Sequence, residues 1–317
     1  MNAMFRMVAG RLGGLLLTLL LASIVIFSAV LVTGDPISTL AGGAKPTPEL
    51  IAQIRADYRL DDPVWTRYWL WLTDALHGDF GRSFVYKTDV VSLIGPRFGV
   101  TLQLVLLTLA FILVFGVGSG ILAATRGRVV DRTVSILTSL GMALPTFVVA
   151  ILLIWLFAKT LGWFPVFGEG DGFVDRLWHL VLPSVSLAVL FVAYISRITR
   201  AALVAQLYSE HVETATVRGI PRGRVFRIHV FRNAAPQILA ISGTTVAGLF
   251  AASAIAEVAF GIGGVGSLLV EAAARADLPV VQVLSLILVA IFVVLNAVAD
   301  IIAALIDPSS VAGGVAA

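Results

Sequence analysis

Six stretches of the chain are long and apolar enough to cross a lipid bilayer, and this feature limits the possible folds most strongly. A membrane-spanning helix needs about 20 apolar residues, because in lipid every backbone polar group must be bonded within the helix. Only 13% of the 317 residues are charged, against about a quarter in soluble domains. The sequence therefore predicts an all-α membrane protein with six transmembrane helices. These stretches are 12–32, 101–124, 134–158, 180–200, 238–258 and 282–306.

The positions of arginine in the short loops predict the orientation of these helices, since cytoplasmic loops carry an excess of basic residues. Basic residues precede the first helix, fill the link between the second and third, and follow the fourth. Both termini and the segment 201–237 are therefore expected in the cytoplasm. The chain is expected to divide into 1–32 (N-terminus and first helix), 33–99 (an external domain) and 100–317 (the remaining five helices). The arginines on which this orientation depends are Arg6, Arg11, Arg126, Arg128, Arg132, Arg197, Arg200, Arg218, Arg222, Arg224, Arg227 and Arg232.

The external segment 33–99 has signals for two helices. Thr47 is suited to cap a helix that begins at Pro48, since threonine favours the N-cap and proline the first helical position. A second helix is expected to begin after Pro63 and to end near Gly78. Its aromatic residues have two possible environments, a small core or the level of the lipid headgroups. The apolar residues of this second helix are Trp65, Tyr68, Trp69 and Leu72.

The sequence contains no motif for catalysis or for binding a cofactor. It has no Gly-Lys dipeptide and hence no phosphate-binding P-loop, and it has no H-E-x-x-H or G-x-S-x-G motif. There are no cysteines, and the four histidines lack the spacing of metal ligands. A net charge of +3 is too small to indicate a nucleic acid partner. The chain is therefore not expected to be an enzyme or to bind a metal.

A few residues within the apolar stretches are candidates for gating or for contacts between helices. Pro145 and Pro183 indicate either tolerated kinks or hinges of a gated bundle. Asn296 and Asp300 lie one turn apart and favour either a polar contact between helices or a proton or ion relay. Glu257 is expected to reach the membrane surface. Two further glycines, Gly116 and Gly120, have the spacing that lets membrane helices pack closely.

The charged segment after the fourth helix is predicted to be helical but sharply broken. We expect its first helix to continue past the membrane surface to Gly219, which can take a positive φ. Ile220 and Pro221 then turn the chain, because a residue before proline is disfavoured in the α conformation. A basic amphipathic helix follows, until Pro236 redirects the chain. Such a segment either lies on anionic lipid or docks into a groove of another protein. The predicted apolar stripe of the second helix comprises Val225, Ile228, His229 and Phe231.

This segment resembles the E-A-A-x-x-x-G signature of permease subunits of bacterial ABC importers. Glu213, Ala215 and Gly219 match the signature, and Thr214 departs from it at the first alanine. The rest of the chain resembles the dipeptide, oligopeptide and nickel branch, in the subunit with a long first external loop. The similar segments are TGDP (33–36), LDDPVWTRYWLWL (60–72), HGDFGRSF (77–84), FGIGGVGSLLVEAAARADLPVVQ (260–282) and NAVADIIAALIDP (296–308).

The resemblance implies a multi-pass subunit of the bacterial inner membrane and a set of protein partners. The partners would be a second related permease subunit, two ATPase subunits that hold ATP and Mg²⁺, and an external substrate-binding protein. The signature would form the coupling helix that contacts the ATPase, with Glu213, Thr214, Ala215, Gly219 and the Ile220–Pro221 turn as its site. Di- or oligopeptides are the expected cargo, with nickel, glutathione-like peptides and haem as alternatives. A secondary transporter or channel is the alternative, and it would need ionisable groups or broken helices at mid-membrane.

Overall fold

The computed structural model describes residues 2–33, 37, 47–57 and 59–306. Of these, the side chains of 2–9, 11, 12, 33, 50, 54, 57, 300 and 303–306 are not described. The described chain is almost entirely helical, and its one β-bridge joins Arg82 and Asp89. The α-helices are α1 (Asn2–Thr33), α2 (Pro48–Asp57), α3 (Val64–Leu76), α4 (Val90–Phe111), α5 (Gly118–Thr125), α6 (Arg128–Ala143), α7 (Thr146–Leu153), α8 (Gly172–Leu207), α9 (Glu210–Val217), α10 (Arg222–Arg224), α11 (Arg232–Phe260), α12 (Val265–Ala274) and α13 (Leu278–Ile306).

The six predicted membrane stretches all lie in helices, which confirms the all-α membrane fold. Within the described residues, five helices are long and apolar enough to span a bilayer. The total is six if the bent pair Arg128–Ala143 and Thr146–Thr160, whose two parts meet at 102°, is counted as one span. Three π-helical turns continue α4, α7 and α10 without a break in the helix, at Ile112–Val117, Ile154–Thr160 and Val225–Phe231.

The helix signals of the segment 33–99 are confirmed. Helix α2 begins at Pro48, and the carbonyl of Thr47 accepts the amide of Ile51. Helix α3 begins directly after Pro63 and ends just before Gly78, which has a φ of +84°. The TGDP motif lies outside the described residues, apart from the helical backbone of Thr33. Helix α4 begins at Val90, about ten residues earlier than its apolar stretch indicates.

The chain forms two compact units, and the first comprises Met1–Thr101 with Gly263–Val293. Its core consists of apolar residues from α4, α12 and the start of α13. Asp277 is completely buried there, and its carboxylate accepts hydrogen bonds from Ser83 Oγ, from the Phe84 amide at 2.9 Å and from the Val85 amide at 3.3 Å. Because buried carboxylates are costly unless bonded, this group fixes the loop before α4 onto the loop before α13. The buried core residues are Val90, Ile94, Val265, Leu268, Ala272, Val280, Val283 and Leu284.

The second unit comprises Leu102–Ile262 with Val294–Ala317, and α8 is its most buried helix. The helix that contains Gly116 and Gly120 packs closely against α8, as the sequence predicts. A Cβ atom at Gly120 would lie 2.6 Å from Thr199 Cβ and 2.7 Å from the Ser196 carbonyl oxygen. No side chain fits at that position without moving α8.

Two predictions about single residues are wrong. Pro236 does not redirect the chain, because the helix runs unbroken from Arg222 to Phe260, with Pro236 in its interior. The π-helical turn Val225–Phe231 directly precedes α11, so the local bonding differs from that of a regular α-helix. Glu257 does not reach a surface, since it is completely buried at the last turn of α11. Its backbone carbonyl accepts the amide of Ile262 at 2.8 Å.

Candidate functional site

The signature residues lie on α9, a separate helix of eight residues. The expected continuous helix is wrong here, because α8 ends at Leu207 and Ser209 takes an extended conformation. The carbonyl of Ser209 accepts the amide of Glu213 at 3.1 Å, which starts the new helix. Glu210 and Glu213 both lie in its first turn, where acidic groups interact favourably with the helix dipole.

One face of α9 is buried against the neighbouring helical segments. Val212 and Ala215 are buried, three residues apart and hence on the same side of the helix. They pack against buried residues of α8, of the π-helical turn and of α11, so α9 is held on a firm apolar base. The cluster comprises Ala202, Leu203, Val212, Ala215, Val225, Val230, Ala234 and Ile238.

The C-terminus of α9 is a Schellman motif, which ends the helix sharply. The amide of Ile220 donates to the carbonyl of Ala215 at 3.3 Å, and the amide of Gly219 donates to that of Thr216 at 3.0 Å. Gly219 has a φ of +77°, as the sequence predicts for a residue that ends this helix. Ile220 packs against the apolar cluster on which α9 is held. Pro221 is extended and starts the next helix.

The opposite face of α9 is open. Glu213 and Thr214 are exposed, and so is Val217, with 82% of its surface accessible. Tyr208, which precedes the helix, is 88% exposed. The signature residues thus have two different environments, because Ala215 faces the base while Glu213 and Thr214 face outward. The structure presents a rigidly mounted helix with a mixed polar and apolar outer surface.

The helix after the turn differs from the predicted stripe. Val225 and Val230 are the buried residues, whereas Ile228 is exposed. The reason is the π-helical turn, in which residues five apart, not four, come to the same side. Phe226 and Phe231, also five apart, pack against the same cluster.

A polar contact that the sequence does not reveal joins α9 to this turn. His211 Nε2 lies 3.1 Å from the carbonyl oxygen of His229 and 3.1 Å from Asn233 Nδ2. Asn233 Nδ2 also donates to the His229 carbonyl at 2.8 Å. A histidine in a charged loop gives no signal of such a contact, because the two partners are 18 and 22 positions further along the chain.

The other candidate residues lie in different places. Pro145 stands at the bend between α6 and α7, and Pro183 is buried within α8, which continues through it. Asn296 is half-buried in α13 and has a polar or electrostatic contact. Asp300 lies one turn further on, and its side chain is outside the description. The described residues contain no cluster of His, Asp or Glu that could hold a metal ion.

Comparison with protein-family models decides the family. Residues 116–311 match the binding-protein-dependent transport system inner membrane component, and residues 4–108 match the N-terminal domain of the corresponding membrane component. The chain belongs to this family. It is an ABC permease subunit, and its relatives place it in the peptide and glutathione branch.

The relatives match this permease over most of its length. A putative peptide transport system permease of Brucella abortus is 36% identical over 88% of this chain and 90% of its own. The glutathione transport system permease GsiC of Escherichia coli K12 is 33% identical over 96% of this chain and 99% of its own. The solved MetNI methionine ABC transporter has a TM-score of 0.54 at 18% identity over 68% of this chain and 97% of that chain, and this likeness shows a common fold.

Proposed function

We propose that the permease is half of the translocation path of an ATP-driven, binding-protein-dependent importer and that α9 transmits the motion of a separate ATPase. A second, related permease subunit forms the other half of the path. The cargo is a di- or oligopeptide, as supported by relatives named for peptide and glutathione transport. In this topology both termini and α9 lie in the cytoplasm, and a substrate-binding protein docks on the external side.

The proposal rests on the way in which α9 packs against the rest of the protein. Its inner face is fixed on the apolar cluster, while its outer face, with Glu213, Thr214 and Val217, is exposed. A helix that only lay on lipid would turn its apolar face outward. Here Val212 and Ala215 face inward instead, so the outer surface suits a groove of another protein.

The ATPase is a separate chain in this proposal. The permease sequence has no P-loop to cradle nucleotide phosphates. ATP and Mg²⁺ therefore bind to two partner ATPase subunits, and closure of these subunits displaces α9. Because α9 is rigidly attached to α8 and α11, such a displacement can bias the equilibrium between inward-facing and outward-facing states.

The bend at Pro145 is the second element of the proposed mechanism. Helices α6 and α7 meet at 102° directly before this residue, which lacks an amide hydrogen to bond across the break. We assign Pro145 to gating and the buried Pro183, with Asn296 and Asp300, to contacts between helices.

Gly219→Val and Gly223→Val form a matched pair that tests the coupling role. A Cβ atom meets nothing within 4 Å at either position, but only Gly219 has a positive φ. Valine at Gly219 is therefore strained by about 1–3 kcal/mol and moves the end of α9, whereas valine at Gly223 is not strained. We expect Gly219→Val to abolish uptake at normal membrane abundance and to weaken co-purification of the ATPase. Gly223→Val retains uptake. Normal uptake by Gly219→Val would contradict the proposal.

A further inference from the structure

Helix α3 has two opposite faces of different chemistry. At about 100° per residue, Trp65, Trp69, Leu72 and Leu76 fall on one side of the helix, and Arg67 and Asp74 fall on the other. On the apolar side, Trp65 is 70% exposed, Trp69 58% and Leu76 77%. A row of large apolar side chains this exposed requires a partner.

The charged side of α3 faces a cavity that is lined by both charged and apolar residues. Arg67 and Asp74 line a cavity of about 730 Å³ in the first unit. The charged residues of α3 thus share this cavity with other charged residues, and the apolar side of the helix is left outward. The other charged residues at this cavity are Arg55, Arg59, Asp61, Asp79 and Arg82.

Contacts with α1 fix the position of α3 along a membrane helix. The hydroxyl groups of Tyr68 and Ser23 lie 2.8 Å apart and share a hydrogen bond, and both residues are buried. The ring of Phe27 lies 5.4 Å from that of Tyr68, edge to face, and 5.7 Å from that of Trp71. Tyr68 and Trp71 thus hold α3 against the second half of α1.

The sequence of α1 shows how deep in the bilayer these contacts lie. The apolar span of α1 is Gly13–Val32, a length of 20 residues. At about 1.5 Å per residue it matches the hydrocarbon thickness of about 30 Å. Phe27 is then about 7.5 Å inside the edge of the hydrocarbon at Val32, and Ser23 is about 14 Å inside it. Amphipathic helices in the membrane interface bury their apolar face about 5–10 Å into the boundary of headgroups and acyl chains.

We propose that α3 is an interfacial helix, whose side with Trp65, Trp69, Leu72 and Leu76 binds the phospholipid of the leaflet at the C-terminal end of α1. The lipid surface is the occupant because this side is level with residues of α1, such as Val25, that are themselves exposed and apolar. Tryptophan is enriched at membrane interfaces, because its ring is apolar and its indole N–H is a hydrogen-bond donor. The hydroxyl of Tyr68, which would be costly in hydrocarbon, is bonded to Ser23. In the proposed topology this is the outer leaflet.

Spin labels on single cysteines test this proposal, because the chain has no native cysteine. The variants Trp69→Cys and Leu76→Cys place the label on the apolar side, and Asp74→Cys places it on the opposite side of the same helix. Val25→Cys is the reference for an exposed apolar residue of the membrane span of α1. Each variant is assembled into the complete importer in phosphatidylcholine nanodiscs, and its collisions with oxygen and with a water-soluble nickel chelate are measured.

We expect labels at Trp69 and Leu76 to collide mainly with oxygen, as at Val25, with an oxygen-to-nickel ratio several-fold higher than at Asp74. A ratio at Trp69 and Leu76 as low as that at Asp74, with frequent nickel collisions, would mean that α3 stands in water. Infrequent collisions with both reagents would mean that another protein covers this side. Either result overturns the proposal, and neither depends on whether α9 couples to an ATPase.

Discussion

Helices α3 and α9 both lie outside the long membrane helices and both bury one side, but their exposed sides differ. Helix α3 attaches through Tyr68 and exposes Trp65 and Trp69. Helix α9 attaches through Val212 and Ala215 and exposes a surface that includes carboxylates. Tryptophan favours a membrane interface, whereas a mixed charged surface favours water or a protein groove. The comparison teaches that the partner of a short helix is indicated by its exposed side, not by its buried one.

The largest expected difference between the two helices is the side of the membrane on which they lie. Cysteine at the exposed Asp74 should react with an impermeant thiol reagent in intact cells, and cysteine at Tyr208 should react only after the cells are permeabilised. The physical basis is the excess of arginine around α9 and in the loops that are expected to lie in the cytoplasm. The reversed labelling pattern would refute the proposed topology and the docking of an ATPase on α9.

Ala215→Asp and Thr214→Asp place the same charge on the buried and exposed sides of α9. An unpaired carboxylate on the buried side costs several kcal/mol, so Ala215→Asp should detach α9 and abolish uptake. Thr214→Asp adds an exposed carboxylate and should leave the helix in place. Limited proteolysis of the segment 208–221, together with uptake, measures both effects. Equal protease sensitivity of the two variants would contradict the attachment of α9 through the side that contains Ala215.

Trp69→Arg and Val217→Arg place arginine on the exposed sides of the two helices. In lipid near the membrane interface arginine is unfavourable by up to about 1 kcal/mol, so Trp69→Arg should slightly lower the thermal stability of the importer in nanodiscs. Val217 is 82% exposed on a surface proposed to lie in water, and its replacement should leave the thermal stability unchanged. Equal stability of the two variants would remove the distinction between the helices.

Glu213→Arg should reduce uptake several-fold, which is less than the loss expected for Gly219→Val. The carboxylate lies in the first turn of α9, where its loss costs about 0.3–1 kcal/mol through the helix dipole, and the backbone is not strained. Uptake and ATPase co-purification are compared with those of Glu213→Gln, which removes the charge but keeps the size. A larger defect for Glu213→Gln than for Glu213→Arg would argue against an electrostatic contribution.

Tyr68→Phe should lower the stability by about 0.5–1.5 kcal/mol, because it removes one hydrogen bond to Ser23. Ser23 Oγ remains bonded to the carbonyl of Leu20 at 2.7 Å, so no buried polar group is left unsatisfied. The double variant Tyr68→Phe with Ser23→Ala should be little less stable than the single one. Denaturation in detergent measures both, and a strongly additive loss would show that Ser23 has a second role.

Local patterns and long-range contacts were predictable to very different extents. Apolar length predicts the six spans, and cap residues predict the starts of α2 and α3, because these signals depend on neighbouring residues alone. The positive φ of Gly219 is predictable in the same way. The contact of Asp277 with Ser83 joins residues 194 positions apart, so no local pattern reveals it. For the same reason the sequence gives no sign that Glu257 is buried.

The candidate site likewise has features that local sequence patterns predict and features that they do not. The position of α9 and the turn after it follow from Gly219 and Pro221, but the register of the next helix does not. Hydrophobic periodicity assumes a regular α-helix, and the π-helical turn brings Val230 instead of Ile228 to the buried side. The sequence does not decide whether the aromatic residues of α3 lie in a small core or at the level of the lipid headgroups. In the structure Tyr68 is buried, whereas Trp65 and Trp69 are exposed.

The π-helical turn Val225–Phe231 is a position at which the chain can lose one residue while the helices on either side keep their contacts. Its i→i+5 bonding holds one more residue per turn than an α-helix, so removal of one residue can convert it to a regular α-helical turn. Deletion of the exposed Ile228 would then leave α9 and α11 with the same neighbours. A deletion inside α8, which is regular, would instead rotate every following residue by about 100°. Length variation among related permeases is therefore expected at this turn and not in the helix against which α9 is fixed.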